Sequence, residues 1–239
     1  MMAGAMAGFI SVVAIGLWQL RDILWLPTER FDGKALLAQV VPLVLGVGAT
    51  QFLFTSDTMF AKSHFTQAEM ACYGLAGTLS RALLWLVMPL AAVMFPKIVH
   101  STAKSEKTNL LGLVMIGTAI LAICGGVGLC VLGRWVVKIV SQQSYVETTN
   151  ALLPWYAGAM VPLALANVLV NDLLARSCFR VVAPIVVLAA IYGPTLVFFL
   201  NRFPGRLQLP LQILAVFNLL LLLVCAFFAR RLKIAAEKL

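Results

Sequence analysis

The sequence predicts an all-α fold, a polytopic transmembrane helical bundle of about seven helices. Three observations carry that prediction. Hydrophobic residues make up 62% of the 239 positions and charged ones only 11%, against about 45–50% and about 25% in soluble proteins. The mean hydropathy is +0.99. Seven apolar stretches of bilayer-spanning length follow one another, separated by short basic loops. A soluble domain of this size cannot bury so much apolar surface, because its exterior must still face water. The runs are long and do not alternate in polarity as barrel strands do, so helices are the means of crossing.

Each span follows from the distribution of charge along the chain. Met1–Leu20 is the first; Met1–Gly8 carries no basic n-region, so the segment reads as a span and not as a signal peptide. Ala35–Ser56 is the second. Met70–Ser80 and Ala82–Pro96, interrupted only by Arg81, form the third. Thr108–Gly133, Thr148–Asn171, Val181–Asn201 and Leu207–Ala229 complete the set. The expected organisation is one helix and a cytoplasmic linker over 1–34, then a six-helix lobe over 35–239 with a basic tail.

Lysine and arginine set the orientation. Arg21, Arg30 and Lys34, then Lys97, Lys104 and Lys107, then Arg176 and Arg180, then Arg230, Arg231, Lys233 and Lys238 share one side, twelve in all. Lys62, Arg134, Lys138, Arg202 and Arg206 give the other side five. The richer side is expected to be cytoplasmic, with the N-terminus outside and the C-terminus inside a plasma (inner) membrane. The net charge of +9 then serves topology and contact with anionic membrane lipids, and nucleic acid is not an expected partner. Cys72, Cys124, Cys130, Cys178 and Cys225 have no metal-like spacing and read as small packing residues.

Ionisable groups inside spans are costly and point to function. Arg81 lies twelve residues after Glu69, about 18 Å along a helix and close to the midplane. It is expected to face the bundle interior or a wet cavity, gripping phosphate or carboxylate oxygens, or to serve a structural ion pair. Asp57 lies about 7–8 Å along the helix from Lys62 and is not expected to be level with Arg81. A direct pair between them would need strong tilting or an intervening water. Asp57 reads as a cation or proton site, or as a partner of the helix end and Lys62. In the fifth span Asn167, Asn171 and Arg176 fall roughly along one stripe, and Asp172 and Arg176 form an i,i+4 pair. That stripe would line a cavity for a hydrophilic head group or form an interhelical hydrogen-bond seam.

Pro42, Pro89, Pro154, Pro162, Pro184 and Pro194 lie within or at the ends of spans, where proline bends helices as transporters require. Gly4, Gly8, Gly74, Gly77, Gly125, Gly126 and Gly128 are expected to permit close helix approach. Catalysis is not expected: His64 and His100 fall in loops on opposite sides. The sequence has no HExxH, GxSxG or CxxC pair and no glycine-rich phosphate loop. No metal and no cofactor is expected.

Three motifs then occur in order: Thr55-Ser56-Asp57-Thr58-Met59-Phe60-Ala61-Lys62, Tyr73-Gly74-Leu75-Ala76-Gly77-Thr78-Leu79-Ser80-Arg81, and Met94-Phe95-Pro96-Lys97. Together they resemble the C-terminal half of polysaccharide exporters of the multidrug/oligosaccharidyl-lipid/polysaccharide flippase superfamily. The resemblance implies two six-helix lobes rocking about a central cavity for a polyprenyl-pyrophosphate-linked sugar chain, driven by an ion gradient or membrane potential. It implies that Arg81 offers positive charge to the cavity and that Asp57 is the ion-coupling candidate. Asn167, Asn171, Asp172 and Arg176 are cavity candidates from the polar stripe alone. The seven spans would correspond to the last helix of an N-terminal lobe plus the whole C-terminal lobe. A missing or separately encoded N-terminal lobe is therefore an expected partner, in a fragment or a half-transporter. A multidrug or cation antiporter on the same fold is one alternative, and a non-catalytic membrane subunit is another.

Overall fold

The computed structural model describes residues 8, 11–19, 21, 33–103, 110–141 and 143–237. Six long helices dominate them: α1 (Gly33–Lys62), α2 (Gln67–Ala103), α3 (Leu110–Val140), α4 (Val146–Ala175), α5 (Val182–Arg202) and α6 (Leu209–Glu237). Short 3-10 turns at Gln143–Tyr145 and Phe179–Val181 lead into α4 and α5. No strand occurs among the described residues. All six helices are long and apolar enough to cross a membrane, and the chain is an all-α multi-pass membrane protein.

The chain divides into two compact units, Met1–Gln39 and Val40–Leu239. Much of the expected first span lies outside the described residues; positions 11–19 are helical. In that unit the Arg21 guanidinium stands 5.9 Å from the centroid of the Trp18 ring.

α4 is the hub of the second unit, packing closely against α2, α3 and α6. About two thirds of its spanning window is buried, against 22% for α1 and α3. The reason is visible in the side chains. Leu113, Ile116, Ile120, Ile123, Val127 and Val131 of α3 recur at helical spacing and are all exposed, a stripe suited to hydrocarbon. α4 instead buries small and large residues all round, including Ala157, Ala159, Ala164, Ala166, Tyr156, Met160 and Leu169.

Two glycines explain close approaches. A Cβ on Gly77 would stand 3.0 Å from the Tyr156 hydroxyl, and one on Gly125 would stand 2.5 Å from Leu83 Cδ2. Gly126 is in ordinary contact with α4. Gly74 and Gly128 face open space, which corrects the expectation for those two: they lie on faces that meet no neighbour. Gly8 also meets nothing within 4 Å, and Gly4 lies outside the described residues.

The turns have local causes. Thr66 and Glu69 form a reciprocal capping box at the start of α2. Glu69 Oε2 accepts from the Thr66 N–H at 2.9 Å and the Thr66 hydroxyl at 2.8 Å, while the Glu69 N–H donates to Thr66 Oγ1 at 3.4 Å. α4 ends in a Schellman turn: Cys178 N–H donates to Leu173 O at 2.9 Å and Ser177 N–H to Leu174 O at 3.0 Å. Ser177 takes the left-handed position, with φ of 55°. Proline lies inside α1 (Pro42), α4 (Pro154, Pro162) and α5 (Pro194). His100 falls within the bounds of α2, which corrects its expected place in a loop: the apolar run of the third span continues as helix past Pro96.

Candidate functional site

α1 and α2 are joined by a four-residue turn, so Asp57 and Arg81 approach from opposite directions. Side chains on a helix lean toward its N-terminus. Asp57 therefore leans away from the turn and Arg81 toward it, and a long guanidinium arm closes the axial gap. Arg81 Nη2 donates to Asp57 Oδ1 at 2.6 Å. This direct ion pair corrects the expectation that the two groups lie at different depths. That expectation counted Cα rise alone and left out side-chain direction and length. Lys62 is no partner of Asp57 in this arrangement.

The Asp57 carboxylate is fully buried and fully used. Oδ1 accepts from Arg81 and, at 3.3 Å, from the Thr58 hydroxyl. Oδ2 accepts from the hydroxyls of Tyr73 at 3.0 Å and Tyr156 at 2.7 Å. Four bonds occupy the roughly four lone-pair sites of a carboxylate, so another ligand enters only when a partner leaves. Arg81 Nη2 spends its second proton on Thr58 Oγ1 at 2.6 Å. Its Nε is buried without a hydrogen-bond partner among the described residues, and the Phe54 ring lies 5.4 Å from its guanidinium carbon.

Aromatic packing holds this cluster in place. The Tyr73 and Tyr156 rings meet edge to face at 5.1 Å, and Phe65 stacks on Tyr73 at 6.4 Å. Tyr192 of α5 packs edge to face against Phe217 of α6 at 5.1 Å, with its buried hydroxyl unpartnered among the described residues. Asn218, the next residue, donates from Nδ2 to Ala159 O at 2.8 Å. Ala159 follows Gly158, whose carbonyl is the one that Pro162 leaves without an i−4 N–H donor.

A cavity of about 80 Å³ lies between α1, α2 and α4, lined by Thr50, Gln51, Phe54, Leu84, Trp85, Leu163 and Asn167. Of the five cavity candidates read from the sequence, Asn167 lines it. Arg81 is not among the lining residues, although the Phe54 ring that lines the cavity lies 5.4 Å from its guanidinium carbon. Asp172 and Arg176 form the expected i,i+4 pair, with Arg176 Nε donating to both carboxylate oxygens at 3.0 and 3.1 Å. That pair, with half-buried Asn171, lies at the end of α4 and not among the residues lining the cavity. Residues that sequence reasoning missed are Thr58, Tyr73 and Tyr156 around Asp57, and Gln51 and Trp85 at the cavity. Tyr73 opens the second motif and Thr58 follows Asp57 in the first, so two of them carried a signal. Tyr156, 99 residues from Asp57 in the chain, carried none.

No family model, no curated protein and no solved structure matches this chain. Its own chemistry is therefore the guide. Among the described residues no group of three or more histidines, cysteines or carboxylates is placed to hold a metal. Four of the five free cysteines lie in spans, Cys72 and Cys225 buried, and Cys178 lies in the turn between α4 and α5.

Proposed function

We propose that the chain works in a membrane transporter that moves a polyprenyl-pyrophosphate-linked oligosaccharide across the plasma membrane by alternating access. In this reading it forms the C-terminal lobe of a flippase of the superfamily its motifs resemble. It acts opposite a second lobe, in the same polypeptide or on a separate one. The observation that carries the reading is the buried Asp57–Arg81 pair, which ties α1 to α2 and, through Tyr156, to the central helix α4. Charges at this depth are expensive and persist where a pathway needs them.

The pair supports a specific exchange. With Asp57 ionised, Arg81 is neutralised within the protein. A proton on Asp57 removes that counter-charge and leaves the guanidinium to an anion, here the pyrophosphate of the carrier. Asp57 is then the ion-coupling residue and Arg81 the substrate-facing one. A cation antiporter would need surplus negative charge, and Asp57 here is already balanced by Arg81. That balance favours an anionic substrate over the antiporter reading.

The test is complementation of an exporter-deficient strain by the transporter with its second lobe present. Arg81→Ala would leave a bare buried carboxylate, so the neutral double variant Asp57→Asn/Arg81→Gln is the cleaner probe. Export is expected to fall to background while the protein stays in the membrane at its normal level. Normal export by the double variant would sink the reading.

A further inference from the structure

We infer that the cavity between α1, α2 and α4 seats one edge of a single uncharged sugar ring, through its hydroxyl or acetamido groups, and excludes the pyrophosphate. The inference deepens the proposed function and rests on it only for the source of the sugar.

Four observations converge. First, the cavity holds unspent polar groups. The carboxamides of Gln51 and Asn167 each offer donors and an acceptor, yet neither hydrogen-bonds to any described residue. Thr50 differs, since its hydroxyl donates to Val47 O of its own helix at 2.7 Å. Second, the site lies at mid-span and is open on one side, with Gln51 exposed and Asn167 half-buried. Thr50 to Phe54 lie near the middle of the Leu36–Lys62 span, where water is scarce and an unsatisfied amide is costly. A ligand with both donors and acceptors relieves that cost.

Third, the lining carries no formal charge. Arg81, whose guanidinium carbon lies 5.4 Å from the Phe54 ring, is not among the lining residues and has both Nη2 protons on Asp57 and Thr58. A diphosphate needs charge-assisted donors and finds none among the lining side chains. Fourth, Phe54 and Trp85 give two aromatic walls, and 58% of Trp85 is exposed. Flat π-faces suit the C–H face of a pyranose, while a few placed amides fix its orientation. The volume of about 80 Å³ is several times the roughly 10–15 Å³ that one water requires, so the cavity accepts a pendant group or one edge of a ring but no disaccharide.

The experiment uses the full chain in nanodiscs of phosphatidylcholine and phosphatidylglycerol. N-acetylglucosamine and glucose are the probes, followed by saturation-transfer NMR. Saturable binding of at least one sugar is expected, with its ring protons receiving saturation from aromatic side chains. Gln51→Leu and Asn167→Leu are each expected to weaken it at least tenfold, and Trp85→Leu to remove the aromatic transfer. Equal inorganic pyrophosphate should not compete. Because Gln51 and Asn167 are not fully buried, these variants should melt with the wild type. Asn167→Ala, which cannot fill the cavity, checks that leucine acts by losing the amide.

No saturable binding by the wild-type chain would overturn the inference, as would leucine variants that bind normally or competition by pyrophosphate. Failure of the flippase reading looks different. Sugar binding that needs Gln51 and Asn167, in a chain that never supports export, keeps the subsite and removes the flippase. Export by a wild-type chain that shows no saturable sugar binding keeps the flippase and removes the subsite.

Discussion

Replacing Arg81 with alanine strands a carboxylate in the core, and the structure sets the scale of the loss. Asp57 is fully buried and the Arg81 side chain only 15% exposed, so solvent does little to screen the pair. Removing one partner of such a pair costs about 3–5 kcal/mol. Asp57 would keep its bonds from Tyr73, Tyr156 and Thr58, which places the expected cost near the lower end, about 3 kcal/mol. At roughly 2–4 °C per kcal/mol for a chain of this size, the melting temperature should fall by roughly 6–12 °C. The double variant Asp57→Asn/Arg81→Gln removes both charges and keeps hydrogen-bonding groups in place, so it should be more stable than Arg81→Ala by at least about 1 kcal/mol. A double-mutant cycle over Arg81→Gln, Asp57→Asn and their combination should give a coupling of about 2 kcal/mol. Unfolding of the purified chain in mixed micelles, followed by tryptophan fluorescence, measures all of these. Additive single effects, or an Arg81→Ala variant as stable as the wild type, would refute the reasoning.

Three further outcomes are expected from the same assay. Ser177→Gly should stabilise the chain by about 1 kcal/mol, because serine holds a left-handed φ of 55° that glycine adopts without strain. Gly77→Val should destabilise it by about 1–3 kcal/mol, since its Cβ already meets the Tyr156 hydroxyl at 3.0 Å; combined with Tyr156→Phe, the two losses should fall short of their sum. Thr66→Ala should cost about 1 kcal/mol by opening the capping box with Glu69, and amide exchange in the first turn of α2 should rise.

The helices were legible because hydropathy reports the solvent directly: uninterrupted apolar runs have no other home. Their ends were legible less well. α3 runs on to Val140, past the expected end at Gly133, because Arg134 and Lys138 are compatible with helix and only their charge marked a limit. The intrahelical Asp172–Arg176 pair was readable from spacing alone, since both partners share one helix. The Asp57–Arg81 pair was not, because its geometry depends on how α1 and α2 lie side by side and on which way their side chains lean. Tyr156 lay further out of reach. Nothing near it in sequence announces a carboxylate partner, and only the hub position of α4 brings its hydroxyl to Asp57. The cavity was hidden for the same reason: Gln51, Trp85 and Asn167 come from three helices, and of the two polar residues only Asn167 belongs to a polar stripe legible in the sequence.

The distribution of polar groups follows from which helices are surrounded by protein. Hydrocarbon cannot satisfy a hydroxyl or an amide, so a helix open to lipid tolerates few of them. α3 accordingly keeps Thr118 inward and fully buried while its apolar stripe faces out. α4, enclosed by α2, α3 and α6, carries Tyr156 to the Asp57 carboxylate and Asn167 to the cavity, with Pro162 between them. α1 is open to its surroundings over much of its length, yet Ser56 and Asp57 are fully buried on it, because Tyr73, Tyr156 and Arg81 reach across to that one patch. The charged cluster thus exists only where α1, α2 and α4 meet. Loosening any of these three helices from the others breaks hydrogen bonds to the same carboxylate. The hydrogen bonds of this one carboxylate and the docking of α1 on α2 and α4 therefore stand or fall together.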